Sequence, residues 1–257
     1  MASVSPRKFL FVGPSGAGKS TLLNSKVGRA VFPSGLSFGG GKTLDTMSEF
    51  CNGDCYVDTM GLGDGKDPQT AAKQLTVAVK DGGNLCIVFV VCLTNLRVRG
   101  EHCDAVKLVL AALPKDMPFS IIINQIKEKS YKCLQDRSTL NTVVEALCPA
   151  DRMTNHVYLY PYDSDLAEAD AKIKSHPSSF LEFLDKAPQK FLLPSEVGTV
   201  EDCTARATLA AQEAEAARLE KERVQLAEQV AANNRRAQQL AAAQERARTI
   251  HFYSLGF

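Results

Sequence analysis

The sequence predicts an α/β fold: a doubly wound, mainly parallel six-stranded sheet with helices on both faces. Three observations support this. Strand-like and helix-like segments alternate along residues 7–192, as βαβ units require. Two continuous apolar runs, 85–93 and 119–124, are typical of parallel strands covered on both faces. A glycine-rich motif at 13–20 lies between a strand and a helix.

Apolar periodicity and turn residues predict the other elements in chain order. Residues 8–12 form an apolar strand before the glycine-rich motif, and residues 21–24 open a helix after it. The further predicted strands are 43–51, 55–58 and 156–160, and the further predicted helices are 67–80, 101–113, one that contains 141–147, and one that begins at 180–183. A turn at Asn52-Gly53-Asp54 joins the second and third strands, and it explains the spacing of Cys51 and Cys55 better than a zinc site does.

The composition changes near Pro194, after the predicted domain at 7–192. Residues 200–249 are rich in Ala, Glu, Gln and Arg and lack Gly and Pro, which predicts a long helix. Its heptad pattern has a weak seam, so a coiled coil and a helix folded back on the first domain are both open. Residues 250–257 form an apolar tail, predicted to be a frayed or locally packed end rather than a docking peptide.

Overall composition restricts the classes of partner. The 257 residues carry a net charge of +1, which gives no general attraction to nucleic acid. No apolar run approaches ~18 residues, the length that spans a bilayer, so nothing in the sequence supports a membrane span. Residues 1–7 lead directly into the first strand, so we expect no signal peptide and a cytoplasmic location, with peripheral membrane association left open. In that compartment the eight cysteines are expected as thiols.

Residues 13–20 carry the clearest chemistry, because they match G-x-x-x-x-G-K-[ST], the phosphate-binding P-loop. Backbone N–H groups of such a turn, together with the following helix dipole, attract an anion. Lys19 is predicted to contact the β- and γ-phosphates, and Ser20 to coordinate Mg²⁺. The predicted nucleotide-binding residues are Gly13, Pro14, Ser15, Gly16, Ala17, Gly18, Lys19, Ser20, Thr21, Asn124 and Gln125.

Two further segments narrow the class from P-loop proteins to GTPases. Asp58-Thr-Met-Gly61 has the form D-x-x-G at a strand end, where the Asp can hold Mg²⁺ through a water and the Gly N–H can reach a γ-phosphate. Residues 63–65 are glycine-rich and are expected to order on that phosphate. Thr43, with Thr46 as an alternative, is predicted to contact both Mg²⁺ and the γ-phosphate. The predicted catalytic residues are thus Lys19, Thr43 and Gly61, and the metal ligands Ser20, Thr43 and Asp58.

The hydrolytic and base-reading positions depart from common patterns. Leu62 stands where one large GTPase group has a water-orienting Gln, so we expect slow intrinsic hydrolysis. A guanine reader usually has N-K-x-D, but this chain has Asn124-Gln-Ile-Lys127. Lys127 has only donors and cannot accept from guanine, and Glu128 could substitute only if the loop shifts. Guanine selectivity therefore rests on the other motifs.

The P-loop, residues 58–64 and the segment after the fourth strand together resemble the AIG1-type GTPases, the immunity-associated nucleotide-binding group related to septins and chloroplast import GTPases. That group has D-T-P-G-L where this chain has Met60 in place of Pro, and L-x-x-R-F-T-x-E-D where Arg97 or Arg99 and Glu101 stand here. The resemblance covers residues 7–190. It implies a GTP-binding domain with strand order 2-3-1-4-5-6 and one antiparallel strand. It also implies nucleotide-dependent association through the G-domain face, often at membranes.

These observations lead to a P-loop GTPase whose GTP/GDP and Mg²⁺ state controls homo-dimer or oligomer formation or the binding of a protein partner through the C-terminal helix. Two alternatives use the same P-loop. A small-molecule kinase would require an acceptor pocket and an Arg-bearing lid, and D-x-x-G has no role in it. A non-catalytic nucleotide-binding scaffold is favoured by Leu62 and by the altered base motif.

Overall fold

In a computed structural model, eight strands form one sheet within the first of two units, Met1–Ala205 and Arg206–Phe257. The structure describes residues 6–34, 46–62, 68–167 and 173–200, together with 220–221 and 223–225. The strands are β1 Arg7–Val12, β2 Met47–Cys51, β3 Asp54–Asp58, β4 Gly83–Thr94, β5 Arg97–Val98, β6 Phe119–Ile126, β7 Val157–Pro161 and β8 Lys190–Leu192.

Helices connect these strands and cover both faces of the sheet. The helices are α1 Lys19–Val27, α2 Pro68–Lys80, α3 Gly100–Ala112, α4 Glu128–Leu134, α5 Arg137–Leu147, α6 Ser164–Ala167 and α7 Ser178–Asp185, and a short 3₁₀ turn follows at Pro194–Glu196. Within the described part of the chain, no helix is both long enough and apolar enough to cross a membrane.

The strand order is β2-β3-β1-β4-β6-β7, which confirms the expected order of the six main strands. β1 pairs in parallel with β3 and β4, β6 pairs in parallel with β4 and β7, and only β2 among these six is antiparallel. Since the parallel strands share one direction, their carboxyl ends lie at one edge of the sheet. The residues that follow β1, β3, β6 and β7 are thereby brought together there.

The centre of the sheet is buried on both faces because strand β4 carries apolar residues at successive positions. Residues 85–91 of β4 are fully buried. Alternate side chains enter two cores: Ile87 and Phe89 pack with α2 and α3 residues, whereas Val88 and Val90 pack with residues of α1 and α7. A strand that faces helices on both sides requires apolar residues throughout, which is why the run was recognisable in the sequence.

The sheet has eight strands rather than the predicted six. β5 pairs with the end of β4 through a hairpin, and β8 pairs antiparallel with the start of β4. Two- and three-residue strands carry too few side chains to show a period. The hairpin between β2 and β3 turns at Asn52 and Gly53, both with positive φ, as the turn at 52–54 predicted.

The segment after β8 closes the first unit against α2 and α3. Val200 is fully buried and its N–H donates to Thr76 Oγ1 at 3.0 Å, while the N–H of Gly198 donates to Ala112 O at 2.7 Å. The predicted helix at 200–249 lies almost wholly outside the described residues, although 220–221 and 223–225 are helical. The predicted tail at 250–257 lies outside them entirely.

Candidate phosphate and base site

The P-loop forms the turn between β1 and α1, and two of its glycines have left-handed backbone. Gly16 has φ 74° and Gly18 has φ 90°, values that residues with a Cβ adopt at a cost. Gly18 is the N-cap of α1, where a Cβ would lie 2.4 Å from the Asn124 side-chain nitrogen. These glycines therefore shape the loop through conformation and through contact.

Strand β4 and the segment that follows β3 both pack closely against the same loop. A Cβ on Gly13 would lie 2.2 Å from the carbonyl oxygen of Val90 in β4. A Cβ on Gly61 would lie 2.5 Å from the backbone nitrogen of Ser15. The D-x-x-G segment thus lies against the P-loop, as the sequence predicted from its position at the end of β3.

Lys19 is held across the mouth of the loop. Its side chain is buried, 6% exposed, and its Nζ donates to the carbonyl oxygens of Gly13 and Pro14 at 3.1 Å each. These two hydrogen bonds use two of the three N–H donors of the ammonium group and restrict its position. A cation fixed above a loop of backbone amides is suited to an anion with several oxygens.

Ser20 and Asp58 meet beside Lys19 although they are far apart in the chain. The Ser20 hydroxyl donates to Asp58 Oδ2 at 2.5 Å, and Asp58 is fully buried at the end of β3. Parallel pairing of Phe11 with Asp58 places this carboxylate level with the start of the P-loop. A hydroxyl next to a carboxylate is a donor set of hard oxygens, which fits Mg²⁺. No group of three His, Cys, Asp or Glu side chains suited to a metal occurs among the residues that the structure describes.

Leu62 belongs to the core and not to the site surface. Its side chain is 3% exposed and packs in the apolar cluster with Val12 and Leu75. Its N–H donates to the Gly13 carbonyl at 3.2 Å, and it forms a single parallel bridge with Pro14. Position 62 therefore anchors the D-x-x-G segment to the P-loop, and its side chain is directed away from solvent.

Two predicted elements of the site lie outside the described residues: Thr43, and the glycine-rich stretch at 63–65. Thr46, the alternative to Thr43, is described. It lines a separate groove beside α2 with Val57 and Val77. Thr46 therefore lies on the face of the sheet that α2 covers, in a groove that no P-loop residue lines.

Asn124 ties the end of β6 to the P-loop. Its side-chain Nδ2 donates to the Ala17 carbonyl at 2.8 Å, and the residue is 6% exposed. The next residue, Gln125, has a positive φ of 58° and is exposed. The side chain of Asn124 thus connects the loop after β6 to the P-loop, and its part in base reading stays a prediction.

A shallow recess lies on one side of this loop, between α1 and the end of β7. It is lined by Gly18, Thr21, Leu22, Asn124, Gln125, Tyr160, Pro161, Asp163 and Leu166. Lys127, at the usual Asp position, lines a different cavity on the other side of Gln125. Glu128 is exposed and accepts from Lys132 Nζ at 2.8 Å.

The carboxylate that reaches this recess is Asp163, which sequence reasoning missed. Asp163 Oδ1 accepts from the Asp165 N–H at 3.0 Å, and Oδ2 accepts from Lys174 Nζ at 2.5 Å. The Lys174 hydrogen bond is the main reason that the pKa of Asp163 is lowered, so the group is ionised at neutral pH. The only signal in the sequence is its place just after the last parallel strand, at the edge where ligands bind.

The cavity beyond Gln125 has a volume of about 380 Å³ and mixed charge. Arg99, 60% exposed, donates from Nε to Thr94 Oγ1 at 3.0 Å and lies 3.6 Å from Glu101. His102 is buried, and its burial lowers its pKa. Of the two arginines singled out in the sequence, Arg99 therefore lies beside the P-loop, and Arg97 is exposed on β5.

No protein-family model matches the sequence. No curated protein matches it either. Membership of the AIG1-type family therefore stays a prediction.

Solved structures with a similar arrangement include Toc33 from Arabidopsis thaliana in complex with Mg²⁺ and GMPPNP, at 14% identity and a TM-score of 0.46 over 77% of this chain and 81% of that one. NFeoB from S. thermophilus bound to GDP, AlF₄⁻ and K⁺ shares 15% identity, with a TM-score of 0.39 over 76% and 65%. Era in complex with MgGDPNP and a segment of 16S ribosomal RNA shares 16%, with a TM-score of 0.43 over 72% and 58%.

Proposed function

We propose that this chain binds guanine nucleotides, hydrolyses GTP slowly, and changes its association with itself or a partner between the GTP and GDP states. The observation that carries the proposal is the contact between Ser20 and Asp58 at 2.5 Å, beside the buried Lys19. A P-loop hydroxyl, a strand-end carboxylate and a fixed ammonium group together are suited to bind a nucleoside triphosphate with Mg²⁺.

The predicted phosphate-binding and metal-binding residues have separate roles in this proposal. The P-loop amides and Lys19 hold the β- and γ-phosphates and stabilise the negative charge that develops on them. Ser20, Asp58 through a water, and Thr43 would hold Mg²⁺, which neutralises phosphate charge when bound. Gly61, pressed against Ser15, presents its N–H near the position of the γ-phosphate. Water is the nucleophile.

Slow hydrolysis follows from the burial of Leu62. An apolar side chain within the core cannot orient the attacking water, so the chain by itself lacks that contribution. We expect a turnover on the order of 10⁻² s⁻¹ or slower for the protein without partners. A single-turnover assay with GTP and Mg²⁺ measures it, and a rate of several per second would contradict this part of the proposal.

The base is read, in this proposal, by Asp163 and not by the residues at 124–128. Guanine carries two adjacent N–H donors, and a carboxylate can accept both because each oxygen has more than one lone pair. Adenine has an acceptor nitrogen beside its amine, which a carboxylate repels. The recess encloses only about 30 Å³, so a purine would lie against it with one face and one edge.

Asp163→Asn tests this assignment. The substitution replaces one acceptor oxygen with a donor, which suits the carbonyl of xanthine in place of the amine of guanine. We expect GDP affinity to fall roughly 10- to 100-fold and XDP affinity to rise. Asp165→Asn is the matched control, because Asp165 pairs with the same Lys174 at 3.3 Å but does not line the recess. Equal effects of both substitutions would argue against Asp163 as the base reader.

The nucleotide that copurifies with the protein, identified by mass, is the first test of the whole proposal. Guanine nucleotide is expected, and adenine nucleotide would contradict it. The size of the protein in GDP and in a non-hydrolysable GTP analogue then tests the switch. No hydrolysis and no change of size would favour a scaffold, and transfer of phosphate to a small acceptor would favour a kinase.

A further inference from the structure

His176 connects the two walls of the recess that holds Asp163. It is 9% exposed and makes two hydrogen bonds. Its Nε2 lies 2.8 Å from the carbonyl oxygen of Leu22 in α1, and its Nδ1 lies 3.0 Å from the hydroxyl of Tyr160 in β7. Leu22 and Tyr160 both line the recess, whereas His176 stands behind them.

The partners determine the direction of both hydrogen bonds. A carbonyl oxygen only accepts, so Nε2 of His176 carries the proton and donates to Leu22. In the neutral ring Nδ1 carries no proton, so it accepts a hydrogen bond from the Tyr160 hydroxyl. Burial lowers the pKa of His176 to about 4, so the ring is neutral at physiological pH. One tautomer therefore joins α1 to β7 in one orientation.

Ring contacts hold the imidazole in this orientation. The Phe180 ring, fully buried in α7, lies 4.3 Å from the ring of His176 between centroids. The Tyr160 ring meets it edge-on at 5.7 Å. The connection between α1 and β7 is thus both packed and hydrogen-bonded, with little freedom for either wall to move.

We propose that His176 is a positioning residue for nucleotide-base recognition, because it fixes Leu22 and Tyr160, which both line the recess, relative to each other. The inference rests on the proposed nucleotide-binding function. The phosphate end of the ligand contacts the P-loop, which His176 does not touch. Loss of the histidine should therefore weaken binding of a complete nucleotide and leave binding of an inorganic polyphosphate, which has no base, unchanged.

His176→Phe removes both hydrogen bonds with a ring of similar size. Calorimetry with GDP and with tripolyphosphate, each with Mg²⁺, measures the two halves of the site. We expect GDP to bind about tenfold more weakly and tripolyphosphate within twofold of the original protein. His156→Phe is the matched control: His156 also stacks on a phenylalanine, Phe183 at 4.2 Å, and contacts Ser120 Oγ at 3.0 Å, but neither of these partners lines the recess. The control substitution should change neither the affinity for GDP nor the affinity for tripolyphosphate.

Tyr160→Phe provides a second variant that keeps the ring and the fold. It removes the hydroxyl that donates to His176, and we expect GDP binding about threefold weaker with tripolyphosphate unchanged. The double variant should bind GDP no more weakly than His176→Phe, since both act through one connection. Equal losses for both ligands, additive losses for the two substitutions, or unchanged GDP binding in Tyr160→Phe would each overturn the inference. Failure of the original protein to bind GDP at all would instead overturn the proposed function.

Discussion

For single residues, the glycines at the two ends of α1 differ in what requires them. Gly18 needs the left-handed region and has no room for a Cβ, which would lie 2.4 Å from the Asn124 side chain. Gly28, the C-cap of α1, has φ 77° but has open space around it. The first is constrained by conformation and contact, and the second by conformation alone.

This difference predicts different results for two substitutions. Gly28→Ala should cost about 1 kcal/mol of unfolding free energy from backbone strain and leave nucleotide binding unchanged. Gly18→Ala should cost a similar strain and also displace Asn124 from the Ala17 carbonyl, so GDP affinity should fall at least tenfold. Denaturation and GDP titration of both proteins measure these effects. Equal GDP affinities in the two variants would show that the contact between Gly18 and Asn124 is unimportant.

At the scale of elements, the C-terminal end of α3 depends on a residue far along the chain. Arg152 is buried, 7% exposed, and its guanidinium donates to the carbonyls of Leu110, Leu113 and Met117. The Leu113 and Met117 bonds are 3.3 and 3.0 Å long. The Leu110 carbonyl also accepts from the Leu113 N–H at 3.3 Å, whereas the Leu113 and Met117 carbonyls, which lie beyond the end of the helix, receive their donor from the arginine.

We expect Arg152→Met to destabilise the protein by about 3 kcal/mol, because the carbonyls of Leu113 and Met117 lose the donor that the arginine supplies. GDP affinity should stay unchanged, since Arg152 lies away from the P-loop side of α3. Urea denaturation measures the stability, and Lys115→Met is the control, since Lys115 lies in the same region but makes an exposed ion pair with Asp151. A loss in Arg152→Met no greater than in the control would contradict this role.

At the scale of the whole molecule, buried histidines make stability depend on pH. Burial lowers the pKa of His102, His156 and His176, the last to about 4. The unfolded chain binds protons near pH 6.5, where these folded groups do not, so acid favours unfolding. Their stabilising contribution is present above that value and is lost as the pH falls from about 6.5 towards the folded pKa.

We therefore expect the free energy of unfolding to decrease between pH 7 and pH 5. His176 accounts for about 2 kcal/mol of this decrease, so His176→Phe should have a correspondingly weaker dependence on pH. Carboxylates with lowered pKa, such as Asp163, titrate below this window in both states. Urea denaturation at the two pH values provides the measurement. An unchanged pH dependence in the variant would show that folding does not lower the pKa of His176.

The main elements of the fold were predictable because their signals are local. The apolar run of β4, the P-loop turn and the hairpin at Asn52-Gly53 each show in consecutive residues. The short strands β5 and β8 were not predicted, since two or three residues show no apolar period, and β8 also pairs with the distant start of β4. Helix α4 was also missed, because only Tyr131 and Leu134 of its seven residues contact the core, too few to show a helical period.

The phosphate half of the candidate site was predictable from short stretches of sequence. Gly13–Ser20 are contiguous, and Asp58 follows a strand whose parallel pairing with β1 places it beside them. The proposed base half depends on tertiary contacts, since Asp163 and His176 come from separate segments without a motif. Only the tertiary structure decided that Leu62 faces the core. Loop chemistry is encoded in neighbouring residues, whereas a recess between α1 and β7 exists only once the sheet has brought its strand ends together.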